Sequence, residues 1–118
     1  MKVSLVQMNS ISDKAAKAIR AEIRSWHIGK RSDKRLSDLA HMFNATVRGW
    51  INYYGAFYRS MLYPTLRQLE DDLVLWAKRK YKRHRGHHLR AIHWLGQIAR
   101  REPHLFEHWK LGLTSPVA

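Results

Sequence analysis

Three consecutive acids, Glu70-Asp71-Asp72, form the densest group of potentially catalytic side chains in the sequence. Carboxylates act as acid–base groups or metal ligands when two of them face one point. Consecutive helical residues are rotated by about 100° from one another, so these three cannot share a proton or a metal ion. We interpret them as a solvated acidic patch that pairs with neighbours such as Arg67. Gly-rich phosphate loops and Gly-x-Ser-x-Gly motifs are absent, and we expect this chain to be non-catalytic.

The histidines include two pairs at a spacing that could chelate a metal on a helix, His84 with His88 and His104 with His108. Gly86 interrupts the first pair, and the second pair has no evident third ligand. There is no cysteine to supply a thiolate. We therefore predict no metal and no cofactor, and we interpret the eight histidines as partly protonated groups that add positive charge near nucleic acid,.

The segment Arg48–Tyr54 reads Arg-Gly-Trp-Ile-Asn-Tyr-Tyr and contains no acid. The whole chain has 22 Lys and Arg against nine Asp and Glu, a formal net charge of +13. Such an excess points to an anionic partner, either nucleic acid or a membrane surface. Arg48 and Asn52 suit phosphates, base edges or 2′-hydroxyls, although an ordinary solvated face remains the alternative. Tyr53 is out of phase with the apolar residues, and stacking on a base or sugar is an open possibility.

Basic residues concentrate in three tracts, on the first helix, in the loop 30–35 and at residues 78–85. If the fold merges these tracts into one surface, that surface would bind phosphates. The predicted nucleic-acid-binding residues are Lys14, Lys17, Arg20, Arg24, Lys30, Arg31, Lys34, Arg35, Arg48, Asn52, Tyr53, Lys78, Arg79, Lys82, Arg83 and Arg85.

Helical periodicity dominates the chain, and no strand-like alternation is found,. The pattern predicts an all-α bundle of about four helices. The first should run from an N-cap at Ser12 to about Trp26, with Gly29 as a left-handed C-terminal residue. The second should begin near Ser37 and kink or break at Asn44. In this second stretch, Gly49 would allow close approach of another helix or a ligand backbone.

The third helix is predicted to start at Pro64, whose ring suits a first helical position. Its basic end leads to Gly86, and a fourth helix should span about residues 88–101, ended by Pro103. Leu105, Phe106 and Trp109 would then form a final apolar clasp on the bundle. Trp50, Tyr54 and Trp76 fall in phase with core positions, so we predict that all three are buried.

Residues 11–111 are predicted to form one domain, with 1–10 as a leader or the end of a linker and 112–118 as a loose tail. The absence of cysteine excludes a disulfide framework,. No apolar run approaches the roughly 18 residues needed to cross a bilayer. We expect a cytoplasmic protein.

The string Asn44-x-x-x-Arg48-Gly49-Trp50-Ile51-Asn52-Tyr53-Tyr54-Gly55-x-Phe57-Tyr58 resembles the maturase-specific domain of group II intron reverse transcriptases. The resemblance covers about residues 10–111 and continues through the segments 73–82 and 105–109. One departure is Ala45, where we expect proline in the family.

The resemblance implies a helical domain, also called domain X or the thumb, that follows a polymerase domain. It implies binding of structured intron RNA to promote splicing, and help in holding the template–primer. The Tyr-x-Asp-Asp-type catalytic motif of the polymerase is absent from this sequence. The alternative function is a general DNA-binding or DNA-compacting module. A membrane-surface role is disfavoured, because the apolar stripes are needed for the core.

Overall fold

The computed structural model of the protein describes the backbone of residues 5–116 and the side chains of residues 12–116. Residues 1–4 of the predicted leader and residues 117–118 of the predicted tail lie outside the described part. Within residues 5–116 there are α-helices and short 3-10 turns and no strand, which confirms the all-α prediction. The helices are α1 (Leu5–Ser25), α2 (Leu36–Tyr54), α3 (Arg59–Lys80) and α4 (His88–Arg101), and the 3-10 turns are Ile28–Lys30, Lys82–His84 and Trp109–Leu111.

The central element of the bundle is α3, which contacts α1, α2 and α4. Its leucines recur at spacings of three and four residues, so they form one apolar stripe that the other helices cover. Trp76 continues this stripe and is fully buried, as predicted, with its ring 6.4 Å from that of Trp94. The main side chains of the core are Ile19, Ile23, Trp26, Leu39, Phe43, Val47, Leu62, Leu66, Leu69, Leu73, Trp76, Leu95, Phe106 and Trp109.

The first helix begins at Leu5, so the N-cap predicted at Ser12 is wrong. Serine has intermediate helix propensity, and here the helix simply continues through it. The left-handed residue after α1 is His27, with φ 50°, rather than Gly29. A glycine is needed at 29 for a different reason, because a Cβ there would lie 2.8 Å from the Leu75 Cδ2 atom of α3.

The second helix is continuous, so the predicted break at Asn44 is wrong. It begins at Leu36, close to the predicted start near Ser37, and the amide of the N-cap residue Arg35 donates to the Asp38 carboxylate at 2.9 Å. Proline after Asn44 would remove a backbone donor and favour a break. Because the chain has Ala45 there, the helical hydrogen-bond pattern continues.

The third helix begins at Arg59, so the predicted start at Pro64 is also wrong. Pro64 lies inside the helix, and Tyr63 before it keeps helical geometry. The proline removes the hydrogen bond that the carbonyl of Ser60 would have accepted. Since Ser60 and Pro64 are both exposed, water can satisfy that carbonyl.

The fourth helix has the predicted bounds, and burial of Phe106 and Trp109 confirms the apolar clasp after it. The chain beyond the clasp is more closely packed than a loose tail, since Leu113 and Ser115 are buried. Gly96 of α4 makes room for it, because a Cβ at that position would lie 2.6 Å from the Ser115 carbonyl oxygen. Residues 113–116 thus pack as part of the domain.

Candidate nucleic-acid interface

The basic loop between α1 and α2 is held in place by side chains of α3. The Trp76 indole N–H donates to the Arg31 carbonyl at 2.9 Å, and the Lys80 ammonium donates to the carbonyls of Ser32 and Lys34 at 2.8 Å each. The charge of Lys80 is therefore used in hydrogen bonds to the loop backbone. These bonds hold the loop against α3, and the other cations of the loop lie on this fixed backbone.

A pocket of about 260 Å³ lies where this loop meets α1 and α3, and cations from three segments line it. Arg24 belongs to α1, Lys30 to the turn Ile28–Lys30 and Arg79 to α3. Asp72 also lines the pocket, where burial, reinforced by the charge of Asp71, raises its pKa from 3.8 to about 6. The pocket therefore has three cations and one acid whose raised pKa favours its neutral form, which makes the pocket suitable for a phosphate group.

A second basic group lies after α3 and is built on aromatic side chains. The Arg83 guanidinium is 5.5 Å from the Tyr81 ring centre and 5.8 Å from that of Trp94. Arg90 of α4 joins it by donating to the Arg83 carbonyl at 3.1 Å. Sequence reasoning missed Arg90, because it lies outside the three basic tracts and only the packing of α4 brings it to Arg83. Lys82 and Arg85 flank this group and are exposed.

His84 and His108 are both buried, so neither lies on the surface where the interpretation of the histidines placed them near nucleic acid. Burial lowers the pKa of His84, and the nearby charges of Arg83, Arg90 and His87 lower it further. His84 is therefore neutral at pH 7 and accepts a hydrogen bond from Arg83 at 3.3 Å. Among the described residues, no three His, Asp or Glu side chains are grouped so that they could hold a metal ion.

Arg48 and Asn44 on α2 contact the C-terminal clasp, whereas Arg48 was predicted to contact nucleic acid or to lie on a solvated face. The Asn44 amide donates to the Leu105 carbonyl at 2.8 Å and accepts from the Glu107 amide at 3.1 Å. Two nitrogens of Arg48 donate to Glu107 Oε1, at 3.1 and 2.8 Å. Burial raises the pKa of Glu107, but the hydrogen bonds from Arg48 and Lys110 outweigh this effect, and the net pKa is lowered.

The acid triplet is not the predicted solvated patch, because Glu70 is buried. Its carboxylate accepts hydrogen bonds from His108 at 2.8 Å, from Trp109 at 2.7 Å and from Ser115 at 2.5 Å. Glu70 thus fixes the clasp and the segment after it to α3. Asp71 is exposed, as expected of a surface acid. Because residues 112–118 were predicted to be a loose tail, Ser115 was not expected to be buried or to need an acceptor on α3.

The remaining predicted side chains lie on separate faces. Those of the first helix, Lys14, Lys17 and Arg20, are exposed along α1, whose end carries Arg24 into the pocket. Asn52 and Tyr53 are exposed on α2, and Gly49 beside them has open space where a Cβ would lie. Half-burial of Trp50 and Tyr54 falls short of the predicted full burial. Trp50 stacks on Trp26, with ring centres 5.5 Å apart.

The surface therefore has two basic groups, one at the pocket between α1 and α3 and one around Arg83. The pocket uses residues from all three predicted tracts, since Arg24, Lys30 and Arg79 each come from a different one. Helices that could cross a bilayer, which must be both long and apolar, are not found in residues 5–116.

Comparison with known proteins gives one family. The family model described as "Group II intron, maturase-specific domain" matches residues 16–94, about two thirds of the chain. Neither the curated proteins nor the solved structures contain a significant match to the chain. The matched segment includes α2, α3, the loop that they hold and most of both basic groups. The chain belongs to the group II intron maturase-specific domain family.

Proposed function

We propose that this domain binds structured RNA of a group II intron and stabilises the fold in which the intron splices. Family membership supports the identity of the RNA, and the formal net charge of +13 supports an anionic partner. A protein that binds one RNA fold more tightly than the others shifts the RNA toward that fold by linkage. The domain need not contact the reacting phosphates, and no catalytic residue is assigned to it.

The observation that carries this proposal is the convergence of Arg24, Lys30 and Arg79 on one pocket. Cations scattered over a surface are often only a solvated face. Here Lys80 and Trp76 bind the loop backbone just after Lys30, and Lys30 lines the same pocket as Arg79 in the absence of a ligand. The ordering cost on binding is therefore reduced.

The same geometry indicates which of the other predicted residues would contact phosphates. Lys14, Lys17 and Arg20 extend the pocket's charge along α1, and Lys82, Arg83 and Arg85 supply a second phosphate-binding group. The guanidinium of Arg48 is shared with Glu107, so we assign Arg48 mainly to holding the clasp.

The experiment compares salt dependence of RNA binding between two triple variants. R24Q/K30Q/R79Q removes the pocket cations, and R67Q/R100Q/R101Q removes the same charge from exposed positions outside it. Neutralising about six phosphates should lower wild-type affinity about 10³-fold between 50 and 200 mM salt. The pocket variant should reduce the slope of log affinity against log salt by about 2 to 3.

The control variant should reduce the slope by less than 1, because its positions are not grouped on one ligand site. Equal losses in both variants would show that only total charge matters, which would contradict a pocket-centred interface. A wild-type affinity that does not change with salt would contradict the proposed RNA-binding mechanism altogether. Competition with duplex DNA at fixed salt separates this proposal from a DNA-compacting module.

Family membership also supports a second role, in which this domain follows a polymerase domain and helps to hold its template–primer. We propose this role for the same basic surface. A segment containing a Tyr-x-Asp-Asp motif upstream in the same reading frame would support it. We also propose a cytoplasmic location, which fits a partner that is a cellular transcript.

A further inference from the structure

Two large aromatic side chains, Tyr53 and Phe57, stand almost fully in solvent, with 76% and 82% of their surfaces exposed. Other described aromatics of comparable size are buried or half-buried in the core, including Trp26, Trp76 and Trp109. Exposed rings on a folded domain do not contribute to its core, and a cluster of them marks a binding surface.

Tyr53 lies in the last turn of α2, and Phe57 lies in the turn that follows this helix. The Gly55 amide donates to the Ile51 carbonyl at 2.9 Å, and the Tyr58 amide donates to the Tyr54 carbonyl at 2.8 Å. Both are i to i−4 bonds, and they hold the turn that carries Phe57 against the last turn of α2. Tyr53 and Phe57 are four residues apart, so both exposed rings lie at the same end of α2.

Tyr54, which follows Tyr53 in the sequence, contacts two other rings. The ring centres of Tyr54 and Tyr58 are 6.2 Å apart, and Tyr54 packs edge-on against Tyr53 at 4.8 Å. The Tyr53 ring is thus braced from one side by a half-buried neighbour. Bracing reduces the rotamer entropy that a ligand would otherwise have to remove.

A groove with a volume of about 630 Å³ lies next to Phe57, between the end of α2 and the start of α3. Its lining includes Tyr63, Pro64 and the exposed Arg59. The volume is within the range of about 300–1,000 Å³ typical of small-ligand clefts. A flat aromatic group and an adjacent phosphate are the chemistry that this combination of apolar wall and guanidinium fits.

The charges near the exposed rings indicate which kind of ligand this surface would bind. Asp38 and Glu70 bracket a stretch of the chain, residues 39–69, that contains no acid and includes the exposed Arg59. Exposed rings beside an exposed guanidinium group are complementary to a polyanion whose bases are accessible. Duplex RNA hides its base faces in stacking, whereas loops and bulges expose them.

We infer that Tyr53 and Phe57 form a stacking site for unpaired bases of the bound RNA, with Arg59 taking the adjoining phosphate. This inference rests on the proposed RNA-binding function and goes beyond it, because it assigns single-stranded segments to this surface and leaves paired segments to the basic pocket. The open space over Gly49 lets the ligand backbone pass close to α2.

The test uses two RNA probes of equal length, a hairpin with 2-aminopurine in an unpaired loop and a blunt duplex. Y53L/F57L keeps both positions apolar but removes the rings, and Y53W/F57W keeps aromatic surface. L89S serves as a control, because Leu89 is another exposed apolar side chain, at 67% exposure, on α4. Binding and 2-aminopurine fluorescence are measured at fixed salt, with circular dichroism to confirm folding.

Base stacking on a ring contributes about 1–3 kcal/mol per base, or roughly 5- to 150-fold in affinity. The leucine variant should therefore bind the loop probe at least about 10-fold more weakly and lose the fluorescence quenching. Its duplex affinity should stay within about twofold of wild type, and the tryptophan variant should restore both loop affinity and quenching.

Unchanged loop binding by Y53L/F57L, with a normal salt slope, would overturn the stacking site and leave RNA binding by the pocket intact. Equal loss on both probes would also overturn it, since the rings would then act without regard to pairing. If the wild-type domain bound neither probe, the proposed function itself would fail. These outcomes separate the two claims.

Discussion

The Glu70 carboxylate allows a stability prediction that can be worked from individual hydrogen bonds. Three donors, the His108 and Trp109 ring N–H groups and the Ser115 hydroxyl, end on this one buried acid. In E70A each donor stays buried without an acceptor, at a cost of about 1–3 kcal/mol per group. Relaxation and relief of the buried charge offset part of the sum, so we expect a loss of about 3–5 kcal/mol.

That loss is large against the roughly 5–15 kcal/mol of a typical domain. Urea denaturation followed by tryptophan fluorescence and by circular dichroism would measure it. D71A is the matched control, because Asp71 is the neighbouring acid and is exposed. We expect it to change the free energy of unfolding by less than about 0.5 kcal/mol.

E70Q separates hydrogen bonding from charge. Its amide oxygen can accept from His108 and Trp109, while its amide nitrogen donates to the Ser115 oxygen, which is able to accept. All three contacts survive, and the loss should stay below about 1.5 kcal/mol. If E70Q were as damaging as E70A, an ion pair would be the important element. If E70A lost less than about 1 kcal/mol, the reasoning from unsatisfied donors would be refuted.

Two further substitutions test the surface. D72N should stabilise the domain above pH 6. The rise in the Asp72 pKa from 3.8 to about 6 corresponds to about 3 kcal/mol in the free energy of unfolding. Because Asp72 is half-exposed, screening by solvent reduces this effect to about 1 kcal/mol. Because the folded-state pKa is raised, the advantage of D72N should be absent below pH 4 and grow between pH 4 and 6, as urea denaturation across pH would show. G49A should stabilise α2 by about 0.5–1 kcal/mol in thermal unfolding, since a Cβ there meets nothing within 4 Å,. If a ligand backbone passes over Gly49, the same variant should bind RNA more weakly, and undiminished binding would contradict that approach.

Periodicity predicted the helices and the core better than local signals predicted the helix ends. The apolar stripes of α1 and α3 required a bundle, and Trp76 is buried where its phase put it. The cap signal at Ser12 failed because serine is tolerated inside an exposed helix, whereas α2 does begin near Ser37,. The helix start predicted at Pro64 was wrong because a proline in the second turn removes only one hydrogen bond, and the carbonyl that loses it is exposed.

The basic surface was predictable in composition but not in arrangement. Charge clustering identified Arg24, Lys30 and Arg79 separately, whereas their convergence comes from the packing of the loop on α3, to which Lys80 and Trp76 contribute backbone contacts. These contacts join residues far apart in sequence and have no local signal. For the acids, the spacing of Glu70, Asp71 and Asp72 excluded a shared catalytic site, but it did not reveal that the Glu70 side chain is buried.

The string that carries the family resemblance combines two kinds of residue on one helix. Asn44 and Arg48 bind the clasp through Leu105 and Glu107, whereas Asn52 and Tyr53 face solvent. Charge reversal at Arg48 would therefore place a second acid against Glu107 and disturb the fold along with any RNA contact. Loss of RNA binding in such a variant could not be assigned to the surface, and Arg79 is the sounder position for that test.

The clasp also bears on where the domain ends. The family match stops at residue 94, yet the partners of Asn44, Arg48 and Glu70 all lie between residues 105 and 115. A fragment cut at the end of the match would leave Glu70 in an apolar environment without its donors, and a buried carboxylate without partners is strongly destabilising. The C-terminal segment therefore belongs to the folded unit, because it holds α2 and α3 through Asn44, Arg48 and Glu70.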